Sequence, residues 1–391
     1  MSTEKYDFSY LSADGMTPIH AIEWVPDGEV KGVVQILHGM VEFVDRYDRF
    51  ARFLNEHGIY VTGNDHLGHG ASVISDDSHG YFAKENGNLC VIKDIQSLRV
   101  RTEKKYPDVP YFMLGHSMGS FLLRQYITMY GDGLAGVIIS GTGYQEPGLL
   151  TFMMGVCRTK AAFQGWDHRS VSIDKLALGS YNKAFEPART KNDWLTKDEA
   201  IVDAYNQNPW NNFMFTLNGY YNLFRGLRWA EDPKEIEKIP KDLPILIASG
   251  GSDPVGNMGK GPQKVAGIYR SAGIRHVTCV LYPGDRHEIL NETDHDKVDR
   301  DFLSFIEEHA GCGAEDMNRA QDQPAEEKPE ETAEATKDDA AVTAQDQMTE
   351  EKTEETAAAV QDKAAVTAQD QMTEKKTKET AAAVQDAEKT E

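Results

Sequence analysis

The sequence predicts an α/β fold: a mostly parallel sheet with helices on both faces, an inserted helical cap, and a C-terminal tail without a core. Three observations carry that prediction. Outside one interval, short apolar runs alternate with longer amphipathic ones. Between Gly143 and about Lys241 the alternation stops, and aromatic and Met-rich pieces replace it. Residues 313–391 contain no Phe, Trp, Tyr, Leu or Ile, so that stretch has nothing with which to build a core.

Apolar, β-branched runs bounded by turn residues place strands at 19–24, 32–37, 59–62, 111–114, 136–139, 245–248 and 277–281. Helical periodicity covers 47–56, 89–105, 118–130, 261–271 and 297–308. In the last of these, Val298, Phe302, Phe305 and Ile306 share one face, which is packing against the sheet rather than a site. The chain therefore divides into a first core part (1–142), a cap insertion over the C-terminal edge of the sheet (143–241), a second core part (242–312) and the tail (313–391). Most aromatics at 149–154, 210–215 and 220–224 form the cap's own core; those left over line an apolar substrate pocket. In the tail, 341–350 recurs at 365–374 and 356–362 recurs at 380–386, both offset by 24 residues. Its apolar residues are mostly Ala, so a disordered or transiently helical interaction tail is expected rather than a solenoid.

The formal net charge is −22, of which residues 312–391 contribute −13 through 22 acidic and 9 basic side chains, leaving −9 for residues 1–311. No basic cluster suggests nucleic acid, and an acidic protein gains nothing from an anionic membrane surface. At most, transient membrane contact through the cap is expected. Cys90, Cys157, Cys279 and Cys312 are widely spaced, with no metal-ligand rhythm; Cys279 lies in an apolar run and reads as buried. The N-terminal residues lack an apolar leader core, and no run approaches the ~18 apolar residues of a membrane span. A soluble, reduced, cytoplasmic protein is expected.

The chemistry is concentrated at strand ends. Gly115-His116-Ser117-Met118-Gly119 joins a strand to a helix, as G-x-S-x-G requires for a serine held out on a sharp turn. A serine hydroxyl is a poor nucleophile without a base, an orienter for that base, and donors for the oxyanion. Asp253 follows the strand at 245–248 and its glycines, where an orienting carboxylate belongs; a turn-forming Asp before Pro254 is the plainer alternative. His287 lies after the strand at 277–281 and before the last helix, where the general base belongs. His295 sits in a polar run and reads as solvated, and Asp285 is too close in sequence to orient His287. The oxyanion donors are expected to be the backbone N–H groups of Met118 and of Met40, the latter after the strand at 32–37. His38 reads as a brace for that loop. The cluster Asp65, His66 and His69 has no further ligands at metal spacing and reads as a hydrogen-bonded glycine-rich turn.

Together these motifs resemble the α/β-hydrolase superfamily, in the branch of monoacylglycerol lipases and bacterial lysophospholipases. The resemblance covers about residues 8–310. His38-Gly39-Met40-Val41-Glu42 with Arg46-Tyr47 looks like that branch's H-G-x-x-E-H-x-x-R-Y segment. The stretch from Asp65 to Ser72 is similar to its D-h-x-G-H-G-x-S, and the stretch from Tyr282 to Glu292 looks like its terminal histidine motif. Phe43 departs from the pattern, which often has His there. The resemblance implies hydrolysis of a monoacylglycerol or other single-chain lipid ester through an acyl-enzyme, with no metal or organic cofactor. A peptidase or amidase of the same fold, with Glu42 and cap residues gripping an amino group, remains an alternative. So does a non-catalytic scaffold acting through the acidic tail.

Overall fold

The computed structural model describes residues 4–311; Cys312, the repeats and the expected tail at 313–391 lie outside them. Eight strands form one sheet: β1 Glu4–Leu11, β2 Pro18–Val25, β3 Gly32–Leu37, β4 Ile59–Asn64, β5 Tyr111–His116, β6 Gly136–Ser140, β7 Ile245–Gly250 and β8 Val277–Tyr282. Their spatial order is β1-β2-β4-β3-β5-β6-β7-β8. β2 runs antiparallel to both β1 and β4, and every other pair is parallel. The central strands β3, β5, β6 and β7 are buried at every position, as expected of parallel strands covered on both faces.

The core helices are α1 Asp48–Glu56, α2 Gly87–Lys105, α3 Met118–Tyr130, α9 Lys260–Ser271 and α10 His295–Ala310. Two apolar clusters cover the two faces of the sheet. Phe50 and Leu54 of α1 join Val298, Phe302 and Ile306 of α10 on one side. Val91 and Ile95 of α2, Leu123 and Ile127 of α3, and Val265 of α9 pack on the other. The stripe on α10 is thus packing, as its spacing implies.

Between β6 and β7 the chain inserts α4 Pro147–Gln164, α5 Val171–Leu178, α6 Glu199–Gln207, α7 Leu217–Ala230 and α8 Pro233–Ile236. β1 is the strand the apolar-run criterion misses. It is an edge strand whose Tyr6, Phe8 and Tyr10 alternate with charged and polar residues; Tyr6 is exposed and the other two are half-buried. Cys279 corrects the expectation of a buried thiol: β8 is the opposite edge, so its side chains are only partly covered. Among the described residues, no helix is long and apolar enough to cross a membrane.

Candidate active site

Strand β5 delivers Ser117 into a turn that only this sequence pattern tolerates. Ser117 has φ 53° and ψ −119°, one of five non-glycine residues with positive φ among the described residues. Such backbone costs on the order of 1–3 kcal/mol and persists only where its surroundings over-determine it. Here the surroundings are the flanking glycines. A Cβ at Gly115 would overlap the Gly119 carbonyl, and one at Gly119 would overlap the carbonyl oxygens of Leu37 and His38. The helix α3 therefore packs its first turn directly onto the end of β3, which brings Ser117 and the β3 loop together. A Cβ at Gly39 would lie 3.1 Å from the Ser117 Cβ.

Asp253 and His287 meet directly. His287 Nδ1 lies 2.9 Å from Asp253 Oδ2, and both side chains are buried. Asp253 is held in turn by the Val255 N–H at 2.9 Å and the Ser249 hydroxyl at 3.2 Å. The turn reading of Asp253 and its role as partner of His287 are therefore compatible: one oxygen caps the turn, the other faces the ring. His287 reaches the serine turn through His116, whose ring centroid is 4.7 Å away, and both rings border Gly141. Burial opposes protonation of His287, but the carboxylates of Asp253, Glu288 and Glu42 outweigh it and raise it above the ordinary histidine value of 6.5. Burial and the nearby His287 push His116 down to about 4, so its ring is neutral at physiological pH.

The β3 loop carries Met40. The Gly39 N–H is taken by the Glu42 carboxylate, whereas the Met40 N–H pairs with no acceptor among the described residues. The Met118 N–H is in the first turn of α3, where a helix has no internal partner for it. His38 braces this loop: it accepts the His66 N–H on Nε2 at 2.8 Å, so its Nδ1 donates to the Gly39 carbonyl at 2.7 Å. The Asp65 region is a hydrogen-bonded turn. Asp65 accepts from the Val44 and Ala71 N–H groups, and the His69 and Ser72 N–H groups close successive turns onto His66 and His69.

The structure adds a network that sequence reading missed. Arg46 makes two 2.8 Å bonds to Glu288, beside His287, and one of 2.5 Å to Glu42. Arg46 thereby holds Glu288 down at about 2, against the upward pull of burial. Glu42 also accepts from Gly39 N–H and Tyr47 OH on its other oxygen, and it is buried, so its carboxylate is engaged within the loop rather than presented at the surface. Arg46 and Glu288 stand 242 positions apart, and only a conserved pairing across an alignment could have joined them beforehand. Asp285 is engaged by Lys197 at 2.6 Å, and His295 opens α10 with Nδ1 3.1 Å from Asp299 rather than lying free in solvent.

From the insertion, Trp194 lies 5.0 Å from His287, and the Tyr181 ring packs on Trp194 at a tilt, 5.0 Å away; Trp210 meets Phe43 edge-on at 5.1 Å. Trp194 thus lays an aromatic ring against His287. A separate groove of about 590 Å³ lies between α4 and α7, lined by Arg158, Tyr221, Arg225 and Arg228 among others, and holds none of the site residues.

Comparison with known proteins bears on this geometry. The family model described as serine aminopeptidase, S33, matches residues 28–294. The monoglyceride lipase of Rattus norvegicus is 36% identical over 294 residues, covering 72% of this chain and 83% of that protein. A monoglyceride lipase homolog of Monkeypox virus is 36% identical over 298 residues, 74% of this chain and 92% of its own. Among solved structures, a thermostable carboxyl esterase from Bacillus coagulans in complex with glycerol superposes with a TM-score of 0.73 at 31% identity, over 79% of this chain and all of that one. With the sheet order, the strained serine turn and these matches in agreement, the chain belongs to the serine aminopeptidase S33 family of α/β hydrolases.

Proposed function

We propose that this protein is a serine hydrolase that cleaves carboxylic esters of single-chain lipids, monoacylglycerol or lysophospholipid, through an acyl-enzyme. The buried Asp253–His287 pair, linked through the His116 ring to the strand that ends at the strained Ser117, carries this reading. Ser117 Oγ attacks the ester carbonyl while His287 Nε2 takes its proton, and Asp253 holds the resulting imidazolium through Nδ1. The Met40 and Met118 N–H groups bind the oxyanion. Collapse of the tetrahedral adduct expels the alcohol, protonated by His287; water, deprotonated by the same ring, then releases the fatty acid. No metal or organic cofactor enters these steps.

Helices α4–α8, within residues 143–241, act as the cap in this proposal. Trp194 against His287, with Tyr181 packed on it, supports an acyl-chain pocket, and Trp210 on Phe43 adds apolar surface at the β3 loop. Exposed Leu149, Phe152 and Phe163 on α4 support brief contact of the cap with a lipid surface. The two relatives above, a monoglyceride lipase and its homolog, support the lipid class. Free thiols at Cys90, Cys157 and Cys279 support a reducing, cytoplasmic setting. The family's description as aminopeptidases favours a second reading, amide cleavage, but the occupied Glu42 speaks against recognition of an amino group there.

Two measurements decide. Ser117→Ala should lower kcat on a soluble ester by a factor on the order of 10⁶ and abolish labelling by a fluorophosphonate; equal labelling of both proteins removes Ser117 as the nucleophile. A panel of monoacylglycerol, lysophospholipid, short p-nitrophenyl ester and aminoacyl amide should show turnover of the esters. Turnover of the amide alone would make the protein a peptidase.

A further inference from the structure

One stretch of the insertion, residues 193–211, touches both loops that carry the proposed chemistry. At its start, the Trp194 and Leu195 carbonyls accept the His287 and Glu288 N–H groups at 3.4 and 2.7 Å. At its end, two side chains converge on one oxygen of the β3 loop. Tyr205 OH donates to the Val41 carbonyl at 2.9 Å, and Asn211 Nδ2 donates to the same atom at 2.8 Å. A carbonyl oxygen has two lone pairs, so these donors fix its direction as well as its position. The Tyr205 ring also lies 4.9 Å from the Arg46 guanidinium, and Trp210 packs on Phe43.

Val41 is where that grip acts. It is β-branched yet has φ 57°, a conformation that such residues leave unless held. Pinning its carbonyl with φ positive fixes the outgoing end of the loop segment that carries Met40. The Gly39 carbonyl, held by His38, shares a planar peptide with the Met40 N–H and sets its direction. The other side of Met40 is anchored independently, through the Gly39 N–H on Glu42 and the Gly39 carbonyl on His38.

We infer that Tyr205 and Asn211 are positioning residues for the oxyanion loop: by clamping the Val41 carbonyl they hold the far end of the segment whose near end aims the Met40 N–H, so seating the insertion and assembling the oxyanion hole are one event. The inference rests on the oxyanion reading of Met40 and Met118. It makes the insertion part of transition-state stabilisation, in addition to any pocket it forms for the acyl chain. Substrates too short to reach that pocket should still depend on it.

The test uses the full chain and a short p-nitrophenyl ester. Asn211→Ala and Tyr205→Phe should each lower kcat about tenfold, within the 10²–10³ of losing a whole donor, with KM unchanged. Affinity for an alkyl boronic acid, which forms a tetrahedral adduct, should weaken by the same factor. Glycine takes positive φ freely, so in a Val41→Gly background the Asn211→Ala loss should shrink to about twofold. Thermal unfolding checks that each variant is folded; Tyr205→Phe keeps the ring on Arg46 and carries the test if Asn211→Ala does not fold. Unchanged kcat, a rise in KM alone, or an undiminished loss in the Val41→Gly background overturns the clamp. If Ser117→Ala is inactive and the clamp variants behave as wild type, the clamp alone is wrong. Turnover retained by Ser117→Ala overturns the hydrolase reading and the clamp with it.

Discussion

The C-terminal edge of the sheet and the outer face of the insertion obey different rules. At the sheet edge the side chains are held in place: Asp253 is buried with three partners, Ser117 sits between glycines packed against backbone, and Glu42 and Glu288 share Arg46. On the insertion, Phe163 is 86% exposed and Leu149, Phe152, Val171 and Leu176 also stand in solvent. Tight packing at the edge holds groups within the fraction of an ångström that proton transfer needs, whereas the insertion leaves apolar surface free to meet something else. Under the proposed function, chemistry belongs to the buried sheet edge and lipid contact to the exposed face of the insertion.

Substitutions can break or sharpen that contrast. After Ser117→Ala, Asp253→Asn should have the largest effect, lowering kcat on the order of 10⁴ while leaving the fold intact. The same variant tests the electrostatics. In wild type the raised His287 places the acid limb of kcat/KM above pH 6.5, because the base must be deprotonated to act. Removing the Asp253 charge lets burial dominate, so the limb should move to lower pH; a limb that stays put removes Asp253 as its cause.

Gly119→Ala is expected to destabilise by about 3 kcal/mol, measured by denaturant unfolding, since backbone carbonyls rather than flexible side chains meet the new Cβ. A smaller effect is expected at His20, whose ring bridges Asp65 and Asp7 at 2.9 Å each. The Asp65 hydrogen bond raises it to about 9 from 6.5, despite burial. A folded-state value above the unfolded one stabilises fully below pH 6.5 and is lost as pH rises through 9. The melting-temperature advantage of wild type over His20→Ala should follow that window; a constant difference removes the linkage. Least of all, Phe163→Ser should change stability by less than about 0.5 kcal/mol and leave soluble-ester turnover alone. It should slow hydrolysis of monoacylglycerol presented in vesicles, and equal rates would detach Phe163 from lipid contact.

The same contrast governs what could be read from the sequence. The central strands are legible because burial on both faces turns them into unbroken apolar runs. Ser117 and Asp253 are legible as candidates because each follows such a run, and His287 because it follows the shorter apolar pattern of edge strand β8. β1 escapes because an edge strand needs only half its side chains to be apolar. The Arg46–Glu288 pair and the Val41 grip escape for another reason. Their partners lie 242, 164 and 170 positions apart, and no local pattern announces contacts made only after the sheet has folded. Phe43, which breaks the family pattern, gains its explanation from Trp210 in the same way.

The two-ended attachment of residues 193–211 divides the insertion by evolutionary freedom. Helices α4 and α5 lie before that stretch, so exchanging them for those of another family member should retune chain-length preference without disturbing turnover. An exchange whose junction falls beyond residue 193 removes the attachments together with the helices. For engineering, the useful crossover point in this fold is inside the insertion rather than at its borders with β6 and β7.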